Sequence, residues 1–221
     1  MKNQRPQLLT PILVFSNFFP VLGVMLYNWT IFSVVYIYWI EMLIVSTFSL
    51  LKILYARGED IPFRDRVKMG GKFFLIRTGI FFFYLSFIVT FLGMMVSAKT
   101  PHGSVDVAQT LALRQGFIKL ALFNFIIYNL LEFYFLFIKN GYYKMAAPSK
   151  FYTFFNARML VVHIVVIAGT FIYQFLADKL QMNHMTVMMI CVLIFAIVKT
   201  IADILSKAME DPIPQQEGGF I

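Results

Sequence analysis

Long apolar stretches alternate with short polar ones along the chain, and that alternation predicts most of its architecture. Apolar runs occupy residues 8–26, 30–55, 73–96, 116–138, 157–177 and 185–208. Each is close to the roughly 20 residues that a helix needs to cross a bilayer. Residues 27–29 alone separate the first two runs, so these form an antiparallel hairpin. The pattern predicts an all-α polytopic membrane protein, a bundle of six transmembrane helices in one domain over residues 1–208. Residues 209–221 are polar, rich in Pro and Gly, and expected to be disordered.

Within the runs, polar positions recur at helical spacing. In the third run Gly79, Ser86, Thr90, Gly93 and Ser97 fall on one face, which reads as a small-residue packing seam or a contact between copies of the chain. Pro20 in the first run has no N–H for the carbonyl of Ser16, so a kink is expected near Ser16 and Asn17. Residues 56–71 read as a charged loop, residues 97–115 as the sizeable loop on the other side, and residues 139–156 as a basic, aromatic connection along the membrane interface.

Composition agrees with this picture. The chain is 60% hydrophobic and 14% charged, against about 45–50% and about 25% for a soluble domain. Its net charge of +8 would suggest nucleic acid in a soluble protein. Here the basic residues lie between apolar runs, which points instead to anionic lipid headgroups. Of the 19 Lys and Arg, only Lys99, Arg114, Lys119 and Lys179 fall on the side opposite the N-terminus. That bias predicts both termini in the cytoplasm and insertion in the plasma or inner membrane. A single cysteine, Cys191, excludes an intrachain disulfide and a Cys-pair metal site.

The candidate chemistry lies in ionisable residues within the apolar runs. Glu41 sits mid-run, where a charge costs roughly 2.5–3.5 kcal/mol on insertion scales. Asn124, Tyr128, Asn129 and Glu132 form a polar stripe in the fourth run. His163 shares a face with Asn156, Thr170 and Gln174, so it is expected to point inward. Glu41, Asn129, Glu132 and His163 are therefore the candidate polar core. Lys199 and Asp203, four apart on one face, pair readily and are expected to share a network with Arg158 at the cytoplasmic surface, shallower than Glu41. No His-x-x-x-His or Glu-x-x-His pair, phosphate loop or Gly-x-Ser-x-Gly elbow is present, so no metal site or catalytic set is assigned.

Three segments together carry a resemblance: Tyr38-Trp39-Ile-Glu41, Arg158-x4-His163 following Ala147-Pro148, and Lys199-Thr-Ile-Ala-Asp203. The chain resembles a family of prokaryotic multi-pass membrane proteins known only as a domain of unknown function. The resemblance implies an integral membrane protein and no activity. Relatives often carry histidines in the third and fourth helices, where this chain has Arg77, Tyr84 and Asn129. A metal or haem site built on those histidines would have lost ligands here.

Three functional classes fit these residues. A small-solute or proton-coupled transporter would use Glu41 and His163 as titrating groups. An intramembrane enzyme would need at least three of Glu41, Glu132, His163 and Asp203 to converge. A structural subunit would use its polar groups only to fix helix packing.

Overall fold

The computed structural model describes residues 9–94, 97, 102–153, 167, 171–172, 175–176 and 184–209. Most of those residues are helical, with no strand among them. The helices are α1 (Leu9–Tyr27), α2 (Ile31–Tyr55), α3 (Phe63–Phe87, continued by π-helical turns at Ile88–Gly93), α4 (Gly103–Leu111), α5 (Ile118–Glu132, continued by π-helical turns at Phe133–Lys139) and α6 (His184–Met209). Among the described residues, all but α4 are long and apolar enough to cross a membrane. The fifth apolar run, with Arg158 and His163, falls largely outside the described residues, as does the tail beyond Met209.

α2 occupies the centre, packed against α3, α4, α5 and α6, while α1 packs along α5 and α6. Every residue from Ile31 to Trp39 is buried, so this part of α2 has no polar outer face. Helices that bury all sides show apolar residues all round rather than a stripe.

The α1–α2 turn is held by local chemistry. Asn28 adopts a left-handed conformation at φ 50°, which Asn tolerates better than most residues. The Trp29 amide then donates to the Gly23 carbonyl at 3.3 Å. The Trp29 indole donates to the Gly116 carbonyl at 2.9 Å, joining the turn to the start of α5. Glycine at position 23 is required by space: a Cβ there would sit 2.3 Å from the Trp29 ring. Gly23→Val is expected to destabilise the protein by about 1–3 kcal/mol through overpacking, read as a lower Tm in detergent. An unchanged Tm would mean that the Trp29 ring is free to move aside.

α4 is tied to the first turn of α2. Ser33 Oγ lies 2.8 Å from Thr110 Oγ1 and donates to Gln115 Oε1 at 2.7 Å. The stretch read as a loop between the third and fourth runs therefore contains a helix pinned to the bundle.

At the other end, which carries Arg57, Arg64 and Arg66, α3 begins at Phe63 rather than after Gly71. Pro62 precedes its first turn and Asp65 lies within that turn, where a carboxylate complements the helix dipole. The charged segment 63–71 is thus helix, and only residues 56–62 connect α2 to α3. Arg66 Nη1 donates to the carbonyls of Leu54 and Ala56 at 2.7 and 2.8 Å, satisfying acceptors at the end of α2. The 56–62 segment docks on the connection after α5: the Arg57 amide donates to the Tyr143 carbonyl and the Gly58 amide to the Ala146 carbonyl.

The small-residue face of α3 differs from the packing seam expected of it. The buried positions are Phe73, Arg77, Phe81, Tyr84, Ile88 and Leu92, whose spacing of three and four defines the inward stripe. Gly79, Ser86 and Thr90 face away from the bundle, and Ser86 donates to its own helix at the Phe82 carbonyl. Only Gly93 of that set is buried, against Phe32 and Val107.

Candidate functional site

Three helices deliver polar groups to one point inside the bundle. Asn17 lies ten residues before the end of α1 at Tyr27 and Glu41 ten residues after the start of α2 at Ile31, about 15 Å along each helix at 1.5 Å per residue. The two helices run in opposite directions from the short turn, which sets these residues at one level, where the Tyr38 hydroxyl donates to the Asn17 carbonyl. Lys199 on α6 completes the group. Its ammonium donates to Asn17 Oδ1 at 2.5 Å, to Glu41 Oε1 at 3.0 Å and to Asp203 Oδ2 at 2.9 Å. Asn17 Nδ2 donates to Asp203 Oδ2 at 2.9 Å, which closes a ring of contacts.

Tyr38 forms the wall of this site. Its hydroxyl donates to the Asn17 carbonyl at 2.9 Å, and its ring centroid lies 5.4 Å from the Lys199 ammonium. Tyr38 precedes Glu41 by three residues, so the two side chains share a face of α2. Asn17, Tyr38, Glu41, Lys199 and Asp203 are all buried, Asp203 and Asn17 completely.

Local sequence explains why α1 can present Asn17 in this way. Pro20 removes the donor that would occupy the Ser16 carbonyl, while α1 remains helical through it. Ser16 Oγ is buried with no hydrogen-bond partner among the described residues. The segment Ser16–Pro20 thus brings backbone polarity to the depth of the charged site, as interrupted helices do where they line a site.

Removing a charged group from water costs several kcal/mol per ion, and the return depends on geometry and on extra hydrogen bonds. Lys199 has three acceptors at its three N–H bonds, which matches the capacity of an ammonium.

The candidates named from sequence separate into groups that differ from expectation. Glu41 was expected deeper than Lys199 and Asp203, yet the Lys199 ammonium contacts both carboxylates. The reason is the level of α6: Lys199 lies well inside the helix, and the end of an apolar run is a poor measure of depth where a helix extends beyond the membrane. Asn129 does not join Glu41; its Nδ2 donates to the Phe125 carbonyl of its own helix. Glu132 belongs to the basic end, where Tyr128 donates to it at 2.8 Å and Lys52 approaches to 3.9 Å. Lys52 lies about 16 Å beyond Glu41 along α2. Arg158 and His163 lie outside the described residues.

Asn17 was not among the candidate residues, although Pro20 was the signal that could have found it. Arg77 was missed as well. It is 2% exposed in the middle of α3, with its guanidinium 5.2 Å from the Phe73 ring centroid and 5.7 Å from that of Phe81. Each such contact contributes about 2 kcal/mol when desolvated.

A helical membrane bundle with a buried, charge-paired site spanning α1, α2 and α6 is the class that fold and site define. The chain belongs to the family of unknown function DUF6498, whose profile matches residues 1–218. No curated protein and no solved structure matches it.

Proposed function

We propose that the protein is a proton- or ion-coupled transporter of small solutes, with Glu41, Asp203 and Lys199 as its ion-responsive site. The supporting observation is the single Lys199 ammonium shared by Glu41, Asp203 and Asn17, contributed by three helices in the bundle interior. Ionisable groups at such depth mark ion and proton pathways more often than anchoring contacts. Adding or removing a proton at either carboxylate changes what Lys199 can hold, and therefore how α1, α2 and α6 are drawn together. The positive-inside bias supports a cytoplasmic placement for the basic end, and anionic lipid headgroups fit its lysines.

The test uses vesicles containing the purified protein and an internal pH dye, energised by a potassium diffusion potential. Supplied with a protein-free small-molecule cell extract, wild-type vesicles are expected to acidify faster than empty ones. Glu41→Gln, which preserves shape and one hydrogen bond, is expected to slow that flux at least tenfold. Equal rates in wild-type and empty vesicles would overturn the reading.

One observation favours a second reading, in which the site only fastens helices: Lys199 and Asp203 pair at i,i+4 within α6. That reading expects Glu41→Gln to lower the Tm and leave any flux of the folded fraction untouched.

A further inference from the structure

We propose that Arg77 is an oxyanion-recognition residue, and that the transported solute is a small carboxylate or phosphate anion. Arg77 is buried in the bundle at 2% exposure, and its Nε has no hydrogen-bond partner among the described residues. None of the ion pairs among the described residues includes it. Its guanidinium lies over the Phe73 and Phe81 rings, which offer its Nε no oxygen acceptor. Arginine stays charged at any physiological pH, and its planar fork matches the two oxygens of a carboxylate or phosphate.

Depth distinguishes the possible sources of that anion. Trp39 Nε1 donates to the Phe81 carbonyl, Arg66 donates to the Leu54 carbonyl, and Gly70 lies against Leu50. These contacts fix one antiparallel register, in which Arg77 stands opposite Leu43. That level is about 20 Å along α2 from Ala56, too deep for a lipid phosphate at the membrane surface. It is also about 3 Å in height from Glu41. A cation-responsive site and an anion-binding fork thus share one level, the arrangement needed to move an anion together with a proton or cation.

The inference rests on the transport reading for the word solute, but anion binding is measured without a gradient, so the two fail separately. In phosphate-free maltoside detergent at constant ionic strength, wild-type protein is titrated with acetate and with inorganic phosphate. The readout is tryptophan fluorescence, which reports the site through Trp39, bonded to the Phe81 carbonyl. At least one of the two anions is expected to give a saturable change. Arg77→Gln is expected to abolish it, and Arg77→Lys, which keeps the charge and loses the fork, to weaken it at least tenfold. If Arg77→Gln fails to fold, the Lys variant decides. No saturable change in wild type, or equal affinity in Arg77→Lys, would overturn the proposal. Suppression of the response by added phosphatidylglycerol would overturn the solute assignment in favour of a lipid.

Discussion

Lys199→Met is expected to destabilise the protein by about 3–5 kcal/mol, the usual loss when one partner of a buried ion pair is removed. At this chain length that is a fall in Tm of roughly 6–20 °C. The loss comes from what remains rather than from the contacts removed. Glu41 and Asp203 are 2% and 0% exposed, and both lose the Lys199 ammonium, while Asn17 loses its closest donor. The triple variant Lys199→Met, Glu41→Gln, Asp203→Asn removes all three charges while keeping their volumes, and is expected to recover most of the stability. Thermal unfolding in detergent reads both. A Lys199→Met Tm within a degree of wild type would show that the ammonium does not hold these helices.

Gly58→Val is expected to cost about 3 kcal/mol and to loosen the basic end of the molecule. A Cβ at position 58 would sit 2.1 Å from the Met145 carbonyl oxygen, a backbone atom that cannot rotate away. Relief requires lifting the 56–62 connection from the segment after α5, which breaks the bonds from Arg57 to Tyr143 and from Gly58 to Ala146. Two hydrogen bonds at about 1 kcal/mol each, with strain added, give that size. Amide exchange at Arg57 and Gly58 should rise with the loss of Tm. Wild-type protection at both positions would sink the prediction.

What was legible in the sequence followed from length and spacing. Runs of apolar residues declare bilayer-spanning helices because few other structures can hold them, and each described helix long enough to cross a membrane overlaps one of those runs. Glu41 was conspicuous as a charge within such a run, and Lys199 and Asp203 were readable as a pair because four residues bring side chains to one helix face. Their meeting was not legible. It depends on how far α6 is displaced along its axis relative to α2, and one chain's periodicity contains no measure of that. Asn17 is neutral and sat beside a more obvious proline. Arg77 stood near the charged segment that opens α3 and could pass for the last of an interfacial series. The small residues of α3 gave no direction for a related reason: a face of Gly, Ser and Thr permits close packing without choosing which side of the helix receives a neighbour, and within the bundle the aromatic residues take the inward side.

The enclosure of α2 has a mechanical consequence. Its first half is buried on all faces, and its side chains are bonded to three different helices: Ser33 to α4, Tyr38 to α1 and Trp39 to α3. Any rocking of α2 would strain all three attachments together, so α2 is the element of the bundle least free to move. α1 differs, because at Pro20 it can flex without breaking a backbone bond that was never formed. Glu41 belongs to the part held on every side, and Lys199 bonds it to Asn17 on the helix that carries Pro20.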